Sequence, residues 1–339
     1  MLLSPNELHN SLSTLITTDT QLSVMIWGKP GIGKSSVVAN IAKQNNLAFV
    51  DIRLTQLMPS DLRGIPVPDQ GKTHWFPPSF LPTKGKGILF LDEINMAPPT
   101  MQGVAQQLIL DRKIGDYNVP DGWFIWAAGN RAEDKAAVFK MPAPLANRFL
   151  HFDVAISLDD FKRYALLNNI DSKIIGFLNF RPALLHKPND NDPRWPSPRS
   201  WEMASQLLKI GLNTSSAIGN GCAIELEAFI ELSYNMPDLN AIMQGTSIDD
   251  FPTTPSISYA LISALAIKIK VPSDAVNSFK WLLKTANPEW IQVFINDLFL
   301  LLNANGQFAQ FATAFIKDPT AKKYLQDYAK LTKAINDVL

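Results

Sequence analysis

The residues with the most specific chemistry are 28–35, GKPGIGKS, which fit the pattern GxxxxGK[ST]. Gly28, Gly31 and Gly33, with Pro30 and Ile32 between them, let the backbone wrap until its N–H groups converge on phosphate oxygens at the positive end of a following helix. Lys34 would neutralise β- and γ-phosphates, Ser35 would offer a hydroxyl to Mg2+, and the loop as far as Ser36 is the candidate nucleotide-binding set. Residues 88–95, ILFLDEIN, supply the second element, four apolar residues of a buried strand that ends in two acids. Asp92 would hold Mg2+ directly or through water, and Glu93 would orient and deprotonate an attacking water. Alternation along a strand sends adjacent side chains to opposite faces, but at a carboxyl edge both can reach the crevice where α/β ligands bind.

Three further side chains fit the same chemistry. Residues 124–130, FIWAAGN, end in Asn130, an amide able to hold a water between the acids and a γ-phosphate. Arg148, in MPAPLANRFLHFDV (141–154), stands just before another apolar run, and its permanent planar charge suits a transferring phosphoryl group. Arg199, in SPRSW, opens a helix of the second half, from which a cation could reach the nucleotide as part of a lid. Together these residues read as a Mg2+-dependent ATPase, and no NKxD guanine motif is present.

The elements that must position these residues are legible as periodicities. Ser4-Pro5-Asn6-Glu7 is a capping box for a first helix ending near Thr18. Five short apolar runs follow, 24–27, 48–53, 88–91, 124–128 and 150–154, alternating with helical stretches. That alternation predicts an α/β fold with a parallel sheet covered on both faces. From Ser157 the pattern becomes helical. Proline-rich segments at 181–200 and 235–255 divide it, so the expected domains are 1–154, 155–235 and 236–339. A last helix is expected from Asp318-Pro319, with Tyr324, Tyr328, Leu331 and Ile335 on one face.

Composition narrows the class. In 339 residues, 46% are hydrophobic and 18% charged, which excludes disorder as the main state. Thirty-one basic against 31 acidic residues give no global field toward nucleic acid or anionic membranes. One cysteine, Cys222, and four scattered histidines argue against a disulfide or a structural zinc. MLLSPNELHN has no basic segment leading into an apolar one, and the oily run 294–302 is broken by Asn296 and Asp297, so a cytoplasmic chain without a membrane span is expected.

With these motifs in this order, residues 20 to about 235 resemble the AAA+ ATPases, and within them the MoxR-type branch. The family's Walker A residues fall on Gly28, Gly33, Lys34 and Ser35, its Walker B acids on Asp92 and Glu93, and its sensor 1 on Asn130. Its arginine finger falls on Arg148 and its sensor 2 arginine on Arg199. The resemblance implies a five-stranded parallel sheet, a helical lid, ATP and Mg2+ at a subunit boundary, and a homo-oligomer, usually a hexameric ring. Residues 54–82 resemble the branch's insertion into the second helix, and 111–123 resemble its hairpin before sensor 1. The branch's chaperones act on a protein client with a partner bearing a von Willebrand factor A domain. Two alternatives stand beside that reading: a nucleic-acid motor or restriction component of the related McrB-type branch, which uses GTP, and a slow regulatory nucleotide switch. Nucleic acid is the less expected partner, because its best candidates, Arg112-Lys113 with Tyr117 and Lys72 with Trp75, are accompanied by Asp111, Asp116 and Asp69.

Overall fold

The computed structural model describes residues 2–131, 133, 138–324 and 326. They divide into two compact units, 1–157 and 158–339. In chain order the first unit contains β1 (Leu2–Leu3), α1 (Pro5–Thr17), β2 (Val24–Trp27), α2 (Lys34–Gln44), β3 (Ala48–Arg53), α3 (Pro59–Arg63), β4 (Ile65–Asp69) and β5 (Lys72–Phe76). It continues through β6 (Gly87–Asp92), α4 (Pro99–Asp111), β7 (Lys113–Ile114), β8 (Tyr117–Asn118), β9 (Trp123–Gly129), α5 (Ala143–Ala146) and β10 (Leu150–Val154).

The main sheet runs β1-β10-β2-β9-β6-β3, with every neighbouring pair parallel. It has six strands instead of the five expected. The extra edge strand is Leu2–Leu3, which pairs with Asp153 and Val154, and Ala155 N–H donates to the Leu3 carbonyl at 2.8 Å. Two residues ahead of a capping box show no period, so nothing in the pattern could mark them as a strand. The three central strands β2, β6 and β9 are buried on both sides, which explains their unbroken apolar runs, whereas β3 and β10 are more exposed and carry Asp51 and His151. Val24, Ile26, Ile88 and Phe90 pack with Leu8, Leu12, Val38 and Ile41 beneath α1 and α2. Met25, Leu89 and Leu91 pack on the opposite face with Met101, Ala105 and Leu108 of α4.

The two long connections are folded. Residues 54–82 form a 3-10 turn (Leu54–Gln56), α3 and the antiparallel hairpin β4–β5, while 111–123 form the hairpin β7–β8. The hairpins touch: the Asp116 carboxylate accepts the Trp75 N–H at 2.8 Å, beside the left-handed turn at Gly115.

The second unit is helical among its described residues: α6 (Leu158–Leu167), α7 (Ser172–Phe180), α8 (Pro198–Lys209), α9 (Ser215–Ile218), α10 (Asn220–Ser233), α11 (Leu239–Gln244), α12 (Pro255–Lys268), α13 (Pro272–Thr285), α14 (Pro288–Ala304) and α15 (Phe308–Lys317). Prolines that punctuate the sequence are largely helix starters here; Pro198, Pro255, Pro272 and Pro288 each take the first helical position, where the missing N–H costs nothing. Asp297, which interrupts the oily stretch, pairs inside the unit with Lys162 at 2.7 Å and accepts from Asn179 at 2.9 Å. Burial lowers the Lys162 pKa, but Asp297 and Asp159 outweigh it and hold the ammonium above its ordinary range. Asp318 caps the expected last helix by accepting the N–H groups of Thr320 and Ala321, and Tyr324 packs on Phe279. Tyr328, Leu331 and Ile335 lie outside the described residues. Among those described, no helix is long and apolar enough to cross a membrane.

Candidate functional site

The carboxyl edges of β2, β9 and β6 lie side by side; β6 ends in Asp92, and β2 and β9 run directly into Gly28 and Asn130. β2 ends at Trp27 and runs into the glycine loop. A Cβ on Gly28 would come within 2.6 Å of Ile32 Cδ1 and 3.2 Å of the Val154 carbonyl, so any side chain there would force Ile32 and the strand end to give way. Gly31 and Gly33 have φ of 79° and 92°, the left-handed region that side chains disfavour. Gly33 is the N-cap of α2, and no side chain caps that helix. Its first N–H groups are the donors that an anion takes at a helix start.

Lys34 crosses the loop: its ammonium donates to the carbonyls of Gly28 (2.7 Å) and Lys29 (3.1 Å) and to Asn130 Oδ1 (3.0 Å). Ser35 Oγ donates to Asp92 Oδ2 at 2.7 Å. Those two hard oxygen donors suit Mg2+, which is usually held by one or two carboxylates with phosphate oxygens and water completing the octahedron. No group of three or more His, Cys, Asp or Glu among the described residues could hold a metal unaided.

Glu93 has φ of 57°, rare for a residue with a side chain. The sign resolves the difficulty that strand alternation poses: the chain leaves the pleat directly after Asp92, and the Glu93 N–H turns back to donate to Asp92 Oδ1 at 2.9 Å. The Glu93 carboxylate accepts from Thr55 Oγ1 at 2.9 Å. Thr55 lies just beyond β3, whose last residue, Arg53, pairs in register with Asp92.

Asn130 is buried and held by Asn95, 4% exposed. Asn95 Nδ2 donates to the Asn130 carbonyl at 2.6 Å, and Asn95 Oδ1 accepts the Asn130 N–H at 3.2 Å. A Cβ on Gly129 would come within 2.3 Å of that oxygen, so the glycine makes room for the clamp. Asp51, on β3, joins the acidic edge. It keeps solvent contact, yet desolvation raises its carboxyl above the ordinary range; Asp92 raises it further, Arg53 opposes, and Glu93 adds to the rise.

The structure thus brings together Gly28, Gly33, Lys34, Ser35, Asp92, Glu93 and Asn130. Arg148 is not in that cluster: it follows the single turn α5, is exposed, and makes no side-chain hydrogen bond or ion pair among the described residues. Arg199, in the other unit, is exposed in the first turn of α8. Thr55, Asn95 and Asp51 are additions for which sequence carried little signal. Asn95 lies inside ILFLDEIN, but its burial depends on β9, far away in the chain.

Two of the nucleic-acid candidates, Arg112 and Tyr117, are spent on structure, while Lys72 and Lys113 are exposed. Arg112 donates to the carbonyls of Pro120 (3.3 Å) and Trp123 (2.6 Å), closing the base of the β7–β8 hairpin. Tyr117 donates its hydroxyl to the Pro82 carbonyl at 2.7 Å, and burial pushes its pKa up to about 12.

Residues 23–151 match the family model described as "ATPase family associated with various cellular activities (AAA)". That segment starts just before β2 and reaches into β10. Together with the sheet order it makes the first unit an AAA+ P-loop α/β fold. Midasin of Giardia intestinalis is 25% identical over 187 residues, 52% of this chain and 4% of midasin, so the chain spans a small fraction of that relative's length. Among solved structures, the RuvB Holliday junction branch migration motor of Thermotoga maritima is 16% identical, covering 82% of this chain and 85% of its own, with a TM-score of 0.40. NtrX of Brucella abortus in complex with ADP is 17% identical, covering 96% of this chain and 68% of its own, with a TM-score of 0.36.

Proposed function

We propose that this chain binds ATP with Mg2+, hydrolyses it, and spends the turnover on remodelling or assembling a protein client as a MoxR-type AAA+ chaperone. The observation that carries the reading is the connected set Lys34–Asn130, Ser35–Asp92 and left-handed Glu93 on adjacent parallel strand ends. Lys34 exchanges loop carbonyls for phosphate oxygens, and the N–H groups at the start of α2 take the remaining phosphate charge. Ser35 and Asp92 hold Mg2+, which supplies charge neutralisation at the phosphates. Glu93 takes the proton of the attacking water, and Asn130, fixed by Asn95, orients that water. Arg148 acts as a finger on the nucleotide of a neighbouring copy, which makes a ring, with six subunits in the MoxR pattern, the working form. Arg199 reports nucleotide state from the lid, residues 155–235, with 236–339 a further helical region. Its position supports this: a cation in a helix's first turn opposes the macrodipole and costs about 0.3–1 kcal/mol, a cost that an anionic ligand would offset.

The MoxR branch is supported by the folded insert at 54–82 and the hairpin at 111–123, which together present the client surface. The partner with a von Willebrand factor A domain and the cytoplasmic setting follow from the same resemblance. The engagement of Arg112 and Tyr117 in the hairpin base argues against a nucleic-acid track. The test is capture with the Glu93→Gln variant in ATP and Mg2+, then analysis of what is retained. Retained protein that is released on washing out nucleotide supports the reading. Tight binding of DNA or RNA at physiological salt, with a steep salt slope and ATPase stimulation, would overturn it.

A further inference from the structure

Arg148 must be presented to a neighbouring copy with sub-ångström precision if it is to serve there. Its own turn gives it little support. α5 is one turn long, and among the described residues Arg148 is hydrogen-bonded to it through a single backbone bond, its N–H to the Leu145 carbonyl at 3.2 Å. Leu145 and Phe149 anchor the apolar side of this turn in the core. Among the described residues its polar end is held by one side chain, His151, whose Nε2 meets the Ala146 carbonyl at 2.7 Å.

The other nitrogen of that ring is also engaged. Trp27 Nε1 lies 2.8 Å from His151 Nδ1. An indole N–H can only donate, so Nδ1 accepts and the imidazole proton must sit on Nε2, from which it donates to the Ala146 carbonyl. The two rings lie nearly parallel, with centroids 6.1 Å apart and planes at 8°. Strand register explains the meeting, since His151 pairs with Met25, and Trp27 lies two residues farther along the same face of β2. Trp27 is also the residue before Gly28, whose carbonyl accepts a hydrogen bond from Lys34. A continuous path therefore runs from the phosphate loop through Trp27 and His151 to the carbonyl two residues before Arg148.

We infer that His151, oriented by Trp27, is the positioning residue for Arg148, and that it ties the finger a subunit offers its neighbour to the phosphate loop of its own site. The inference rests on the finger role proposed for Arg148. His151 touches no reacting atom; it fixes the turn from which Arg148 projects. His151→Phe keeps the aromatic packing against Trp27 and Phe149 and removes both hydrogen bonds. His151→Gln retains an amide donor for Ala146.

The experiment measures ATPase in rings of one variant and in mixtures, with ADP affinity as a second readout. His151→Phe should bind ADP normally and lose about 10- to 100-fold in rate, the scale of a misplacement near 1 Å. His151→Gln should recover most of it. Mixed with Lys34→Ala, which has intact fingers but no competent site, His151→Phe should regain activity. Mixed with Arg148→Ala, it should not. Should His151→Phe fail to fold, Trp27→Phe takes its place, with the same pattern of rescue at smaller amplitude. Full activity of His151→Phe, or failure of Lys34→Ala to rescue it while Lys34→Ala does rescue Arg148→Ala, overturns the positioning role alone. Full activity of Arg148→Ala would instead remove the finger reading on which it rests.

Discussion

Lys34 and Arg148 are both assigned to the phosphates of a nucleotide, and the structure treats them in opposite ways. Lys34 is tied within its own chain to two carbonyls and to Asn130. Arg148 stands exposed on a one-turn helix with no side-chain partner among the described residues. On the proposed reading, the difference separates a site that one chain builds for itself from a contribution that one chain can only offer. A cation needed in its own cleft is pre-organised by strand ends, whereas a cation needed elsewhere is kept accessible and fixed only at its backbone.

The sharpest way to break that contrast is at Arg148. Arg148→Ala should leave nucleotide affinity nearly unchanged and cost on the order of 10^3 to 10^5 in turnover, the range for removing an arginine finger. Mixing it with Lys34→Ala subunits should restore part of the rate, because each supplies what the other lacks. Full ATPase activity of a monomeric protein at all concentrations would show that Arg148 serves no neighbour.

Within the self-contained site the next largest effect belongs to Glu93. Glu93→Gln should keep ATP binding and lose about 10^2 to 10^4 in rate, the usual contribution of a positioned base, whereas Lys34→Ala should lose binding itself. Equal loss of ATP affinity in both variants would contradict the division of labour.

Asn95 tests whether the strand edge is pre-organised or merely assembled. Asn95→Ala leaves the N–H and carbonyl of Asn130 buried without partners, a cost of about 1–3 kcal/mol each where water cannot replace them. Stability should fall by a few kcal/mol, and turnover should fall about 10-fold or more as Asn130 loses its fixed orientation. A variant destabilised in denaturant but fully active at low temperature would show that Asn95 serves the fold and not the site.

Much of this arrangement was readable from the chain. The strand runs, the glycine loop and the acids at 92 and 93 are local signals, because a strand buried on both faces must be apolar and its functional residues must come at its end. What escaped is non-local. Asn95 is polar in a region that reads as a strand-end turn, and only the neighbouring β9 makes it a clamp. Thr55 meets Glu93 through the register of β3 on β6. The left-handed Glu93 is a consequence of tertiary packing that no propensity announces, since glutamate disfavours that backbone region. β1 is too short for any period, and Asp297 looked like a break in an oily helix until Lys162 gave it a buried partner.

The smallest effect concerns Asp51, where the site's negative charge strains the free-standing chain. Desolvation, then Asp92, raise the Asp51 carboxyl above its ordinary range, against the pull of Arg53. As pH rises past about 3.9 the unfolded chain therefore loses this proton before the folded one does. Folding becomes less favourable across the interval between the ordinary and the raised value, and at neutral pH the charged form carries the full cost. Asp51→Asn removes it, so the variant should melt at or slightly above the parent at pH 7, by no more than about 2 °C, because solvent screens so accessible a charge. The gap should close below pH 4, where the parent's carboxyl is protonated too. It should also narrow at pH 7 when ATP and Mg2+ are added, since a cation beside Asp92 offsets the repulsion and makes the Asp51 charge useful to binding. A gap that is unchanged by both pH and Mg2+ would mean that Asp51 does not feel the field of Asp92 and Glu93.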